Sequence, residues 1–227
     1  MATSSDAPGD PAVTDAPLVP ETMAQAVSGT TAGDAAEAAA TPGAHIPSAL
    51  VEAMHRIEGS PALDRPADVV ERLARAVVRP GATEDALTGA WLGHALHPLL
   101  TDIPLGTWLS ASLLDLVGGR AARPAARRLI GIGILNALPT AATGLAEWLQ
   151  ADRATRRVGV VHAQANTVGL LLYGASYRAR RKGRHLRGVA LGMAGGMAAI
   201  AGGYLGGHLS LARKAGYRDP RFAVPAG

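Results

Sequence analysis

The apolar positions of this chain fall into three unlike parts. From Leu96 onward four apolar stretches follow one another: Leu96–Val117, Leu129–Leu149, Val158–Tyr177 and Gly188–Leu211. A hydrocarbon core about 30 Å thick needs roughly 20 helical residues at 1.5 Å rise, and each stretch reaches that length. The charges gather in the links, GGRAARPAARR, QADRATRR and RARRKGRHLR. A soluble bundle would instead carry charge along the outer face of every helix. The pattern predicts an all-α protein with a four-helix transmembrane bundle over residues 91–215 and a short C-terminal tail over 216–227.

Upstream the period changes. Leu63, Ala67, Val70, Leu73, Ala74 and Val77 recur at the spacing of one helix face. Asp64 stands where an N-cap would, Pro66 falls in the first turn, and Pro80-Gly81 ends the run. Asp68–Arg72 and Glu71–Arg75 place acid before base at i,i+4 on the other side. Residues 49–90 are therefore expected to hold a short amphipathic helix, docked on the bundle or lying on the membrane surface. Residues 1–48 consist largely of Ala, Thr, Ser, Pro, Asp and Gly without a periodic apolar face, the composition of a disordered acidic tail. Their start, MATSSDAPGD, lacks the basic and apolar regions of a secretory signal.

Composition sharpens this. The chain is 48% hydrophobic but only 4% aromatic, and it has 28 glycines. In the fourth stretch Gly195, Ala199, Gly203 and Gly207 form a four-residue series of small residues that would permit close helix approach. The net charge of +4 conceals a split. Residues 1–90 carry 13 acidic and 5 basic residues, whereas 91–227 carry 5 acidic and 17 basic. The first and third connections hold ten basic residues and the opposite side eight, which leans towards both termini outside the plasma membrane of a multi-pass protein. Arg178 to Arg187 reads as a loop facing lipid headgroups, so the bilayer is the expected partner and nucleic acid is not. Cysteine is absent, which excludes disulfides, Cys-ligated zinc and iron–sulfur clusters within this polypeptide.

An ionisable residue inside a span costs at least about 2.5–3.5 kcal/mol on insertion scales, so each one calls for a reason. Counting turns from the span ends puts His94, His97, Glu147, His162 and His208 near one membrane face, each span contributing. His97, Thr101, Pro104, Trp108, Ser112 and Asp115 share one stripe of the first span, and His162, Asn166, Gly169, Tyr173 and Tyr177 one stripe of the third. Asp102 lies off its stripe, although Pro98 and Pro104 disturb the local turn geometry. Three readings follow. His97, His162 and His208 could ligate the iron of a haem b. Some of His94, His97, Asp102, Glu147, His162 and His208 could hold a transition-metal ion, with Asn166 and Thr101 in support. Alternatively the layer is a purely structural hydrogen-bonded network in a non-catalytic scaffold. Asp115 is expected to meet the arginines of the first connection, and Tyr173 and Tyr177 to join an interfacial aromatic belt. No catalytic residue, inverted repeat or broken-helix pair is evident; His45, His55 and His185 lie outside the spans.

The segment GHALHPLLTDIPLGTWLSASLLDLVGG (Gly93–Gly119) resembles the signature of the DUF2231 family of predicted bacterial membrane proteins. The resemblance continues through RRVGVVHAQANTVGLLLYGASYRAR (Arg156–Arg180) and YLGGHL (Tyr204–Leu209), and reaches back to ALDRPADVVERLARAVV (Ala62–Val78). It covers roughly residues 49–220. Ala95 replaces a usual Pro, and Ser210-Leu211 a common Val-Tyr. The matching positions are His94, His97, Asp102, His162, Asn166 and His208. The resemblance implies no settled activity. Its frequent association with Rieske-type domains implies electron transfer, with such a partner acting in trans, and the chain is free to form a homo-oligomer.

Overall fold

The computed structural model describes residues 48–222, and within them the chain is helical apart from turns and one isolated bridge between His94 and Arg218. The expected acidic tail, apart from Ser48, lies outside the described residues, as do 223–227. Among the described residues seven α-helices follow in order: α1 (Ala49–Glu58), α2 (Asp64–Val77), α3 (Ala82–Thr88), α4 (Leu96–Val117), α5 (Arg123–Gln150), α6 (Arg153–Arg181) and α7 (His185–Gly207). Three short helices thus precede the four long ones, where the sequence reading expected one. The α4 bounds coincide with the first apolar stretch. The other three long helices run past their stretches by a turn or so into the arginine-rich links, because Arg is a good helix former.

The long helices pair as two antiparallel hairpins, α4–α5 and α6–α7, packed side by side. α2 lies across α5 and α6, and α1 rests on α6. The interior mixes small or polar groups, Ala111, Ala126, Thr143 and Ser176 each at most 1% exposed, with a few larger ones such as Trp108, Ile130, Val158 and Tyr173. The outer surface is apolar. Leu109 is 73% exposed and Leu135, Leu138, Leu171, Ile200 and Leu211 are similarly bare. A soluble monomer seldom exposes so continuous an apolar surface. By length and composition two segments, Arg123–Gln150 and His185–Ala212, are apolar enough to cross a membrane.

Pro104 sits inside α4 and is buried. Its missing N–H leaves the Leu100 carbonyl without its i+4 donor, and the Thr140 hydroxyl of α5, which lies 2.7 Å from the Asn136 carbonyl of its own helix, also comes within 3.2 Å of it. The proline is thereby built into the α4–α5 contact. Several local expectations change. Asp64 is the first residue of α2 rather than its cap, and its carboxylate reaches Arg153 and Arg157 instead. Leu73 and Val77 face outward, while Ala67 and Ala74 face the bundle. The Glu71–Arg75 pair forms at 2.6 Å; Asp68–Arg72 is not among the ion pairs of the described residues. In α7 the closely packed small residues are Gly188, Gly192, Gly195, Ala199 and Gly202, whereas Gly203 and Gly207 face open space.

Candidate functional site

α4 and α6 run in the same direction and present matching side chains to one another. His97 and His162, Trp108 and Tyr173, and Asp115 and Arg180 are three pairs with one separation in sequence, 65 residues. Each residue meets its own counterpart. The His97 and His162 rings lie edge to face with centroids 6.2 Å apart. Trp108 and Tyr173 stack at 4.2 Å. Asp115 and Arg180 form a bidentate pair at 2.8 and 2.5 Å. Equivalent residues meeting one another is the mark of an approximate two-fold relation, here between the two hairpins of one chain.

The second helix of each hairpin holds its histidine in the same way. His97 Nδ1 lies 2.8 Å from the Thr140 carbonyl of α5 and 3.3 Å from Thr143 Oγ1, and His162 Nδ1 lies 2.9 Å from the Gly202 carbonyl of α7. A carbonyl oxygen only accepts, so both rings carry their proton on Nδ1 and a lone pair on Nε2. The Asn166 amide donates to His162 Nε2 at 3.0 Å. One turn along, Gly144 and Gly206 leave room for the rings: a Cβ there would come within 2.9 Å of His97 Cε1 and 3.0 Å of His162 Cε1. Gly195 makes the same allowance for Tyr173. Tyr173 is therefore buried in the core, not placed in an interfacial belt as expected.

The remaining candidates go elsewhere. His208 opens a π-helical turn, His208–Ala212, that swings its ring towards α1, where Nε2 meets Glu58 Oε1 at 2.8 Å. His94 stacks on Phe222 at 4.8 Å, because the chain after Gly216 folds back and Asp219 donates its backbone N–H to the Gly93 carbonyl. Gly216 has φ +100°, a left-handed conformation that suits glycine, and its Cα passes over the Glu147 carboxyl. Glu147 itself lies against the His97 backbone at the start of α4, and its Oε1 is buried without a partner. Asp102 is exposed on the outside of α4, and Thr101 bonds back to the Pro98 carbonyl at 2.6 Å. Of the sequence-derived layer, His97, His162 and Asn166 come together. No group of three or more potential metal-ligating side chains occurs among the described residues.

Asp115 also departs from expectation: its partner is Arg180 of α6, not an arginine of the first connection. Both side chains are at most 5% exposed, and Arg180 Nε donates to Ser176 Oγ at 3.1 Å. Sequence reasoning missed Arg180, Thr140 and Gly202. The constant 65-residue offset between the α4 and α6 stripes was the signal that could have found Arg180.

Around the histidine end a belt of ion pairs fastens the short helices. Asp64 binds Arg153 and Arg157, Glu71 binds Arg75 and Arg156, and Arg213 bridges Asp152 and Thr155. The Arg157 hydrogen bond holds the Asp64 carboxyl below its usual range, and Arg75, then Arg156, do so for Glu71. The Thr155 backbone N–H lowers Asp152 in its role as N-cap of α6. Arg221 brings Asp219 down to about 2.

A family model described as "Predicted membrane protein (DUF2231)" matches residues 93–218. That range takes in all four long helices, the histidine pair and the start of the returning C-terminal segment. No curated protein and no solved structure matches the chain.

Proposed function

The chain belongs to the DUF2231 family of predicted membrane proteins, and from that premise we propose that it crosses the bilayer four times as a non-catalytic scaffold. In this reading the His97–His162 layer locks two hairpins together. The carrying observation is the way the rings are used: Nδ1 of both and Nε2 of His162 are engaged by Thr140, Gly202 and Asn166. The apolar outer faces of all four long helices support the four-span topology in a cell membrane, and the hydrogen-bonded interior supports a packing role.

A second reading keeps a haem b, which His97 and His162 would hold, and a redox protein of Rieske type as partner in trans. It is favoured by the Nδ1 ties, which fix the tautomer and aim of a ligating imidazole. Two imidazoles would be enough to hold a haem, whereas a metal ion held by protein alone would need further ligands. A bound haem would supply one-electron transfer.

Purifying the protein in detergent, recording visible spectra oxidised and reduced, and measuring metals on the same sample separates the two. No Soret band, with His97→Ala and His162→Ala both lowering the thermal midpoint, is the expected result. A Soret band that shifts on reduction and disappears in either variant would establish haem. The absence of cysteine lets single cysteines at Ala121, Ala151 and Arg181 report topology; labelling of positions 121 and 181 from one side and 151 from the other is expected.

A further inference from the structure

At the end of the bundle remote from the histidines, most of the basic side chains have no counterion among the described residues. Arg178, Lys182, Arg184 and Arg187 are exposed, and none pairs with a carboxylate among the described residues. Arg120, Arg127 and Arg128 lie at the same end. Asp115 is the acid found there among the described residues, and Arg180 occupies it. The histidine end is the opposite case, since Glu58, Asp64, Glu71, Asp152 and Asp219 all have arginine partners.

Between α5, α6 and α7 this cationic end opens into a groove of about 610 Å³. Its mouth is formed by Arg178, Lys182, Arg184 and Arg187, and its floor by leucines and one isoleucine of the three helices. Leu135, Leu138 and Leu171 on that floor are 66–69% exposed. Leu171 lies eleven residues before Lys182, so the groove runs about 16 Å down the helix from the cations into the apolar zone. A cationic mouth over an apolar trough is amphipathic in the same order as a phospholipid: anion at the interface, hydrocarbon below.

We propose that this groove binds one anionic phospholipid. Its phosphate sits among Arg178 of α6, Lys182 and Arg184 of the following link and Arg187 of α7, and one acyl chain lies along Leu135, Leu138 and Leu171. A zwitterionic lipid would leave the cations uncompensated, and an acidic soluble partner would have no use for the floor. The binding site rests on the four-span reading for its immersion in lipid.

The test uses the full chain, delipidated in a neutral detergent, with 1-palmitoyl-2-oleoyl phosphatidylglycerol, the matching phosphatidylcholine, or glycerol 1-phosphate. Thermal midpoint and lipid retained in native mass spectra are read. Phosphatidylglycerol is expected to raise the midpoint and be retained, with the other two far weaker. Arg184→Gln/Arg187→Gln should weaken phosphatidylglycerol binding at least about tenfold, from two lost cations. Leu138→Trp, which fills the floor and keeps every cation, should weaken it as well. Circular dichroism of each variant confirms the fold. Equal effects of phosphatidylcholine would overturn the charge argument, and equal effects of glycerol 1-phosphate would reduce the site to a phosphate site. Phosphatidylglycerol binding unchanged in both variants would place the lipid elsewhere. Alkaline carbonate extraction, run alongside, separates the readings: release of the protein sinks the four-span reading, whereas lost lipid selectivity in a chain that stays membrane-bound sinks this one.

Discussion

Arg180 and Asp115 face each other in a bidentate pair, 2.8 and 2.5 Å, with both side chains at most 5% exposed. They occupy equivalent places in the two hairpins, but their surroundings are unequal. Opposite Arg180, α7 has Gly188 and Gly192, and a Cβ at Gly188 would come within 2.5 Å of Arg180 Cγ. Ala126 and Ile130, both buried, hold the corresponding places on α5. The arginine therefore fits on the α6 side alone.

Removing one partner of this pair leaves a buried charge. Asp115→Asn and Arg180→Met are each expected to cost about 3–5 kcal/mol, read by denaturant unfolding in detergent. The swapped variant Asp115→Arg/Arg180→Asp should recover less than half of that loss, because the α5 side lacks the glycines. Full recovery by the swap would show that charge alone, without the glycine cradle, decides the arrangement.

Thr140 serves both hairpin contacts: its hydroxyl is shared between the Asn136 carbonyl at 2.7 Å and the carbonyl freed by Pro104 at 3.2 Å, and its own carbonyl accepts from His97. Thr140→Val should cost about 0.5–1.5 kcal/mol, the net worth of the hydrogen bond lost at a half-buried carbonyl. In a Pro104→Ala background the restored N–H can serve the Leu100 carbonyl, so the same substitution should cost less. A double-mutant cycle measures the difference; additivity within error would show that Thr140 does not compensate for the proline.

How far the sequence disclosed this arrangement depended on what each feature needs. The long helices were legible because apolar runs bounded by arginine links leave few alternatives. The His97–His162 pairing was legible because both head stripes at one depth. His208 shares that depth, but the π-helical turn beginning there rotates it towards Glu58, and no turn count from a regular helix anticipates that. Asp102 has the right depth and the wrong azimuth. Arg180 was hidden because the third stripe was read as ending at Tyr177, and an arginine beside a basic link looks solvated until its carboxylate partner is seen.

The glycines of α7 were misread for a geometric reason that can be tested. A step of four residues overshoots a helical turn by about 40°, so Gly195, Ala199, Gly203 and Gly207 drift off the interface. The steps of four and three through Gly195, Ala199, Gly202 and Gly206 stay on it. A Cβ at Gly202 would come within 2.5 Å of Asn166 Oδ1, whereas Gly203 meets nothing within 4 Å. Gly202→Ala should destabilise by about 1–3 kcal/mol, and Gly203→Ala should be neutral or stabilise by up to about 1 kcal/mol. Thermal midpoints that rank these two variants the other way round would sink the close-packing assignment.

Acid should loosen α2 before it loosens the long helices. Asp64 and Glu71 have their carboxyls lowered by Arg157 and Arg75, with Arg153 and Arg156 adding to this. A carboxyl whose folded value is lowered contributes stability that is present above its unfolded value, 3.8 for Asp64 and 4.5 for Glu71, and is lost as pH falls through the folded one. The docking of α2 on α6 should therefore be intact at pH 6 and weaken below about pH 4. Hydrogen exchange at pH 6 and at pH 3.5, corrected for intrinsic rates, checks this over Asp64–Val77 against α5 and α7. Asp64→Asn/Glu71→Gln should show the loosened α2 already at pH 6. Equal protection of α2 at both pH values in the unaltered chain would mean that Ala67 and Ala74, packed against Trp148 and Val160, hold the helix without the ion pairs.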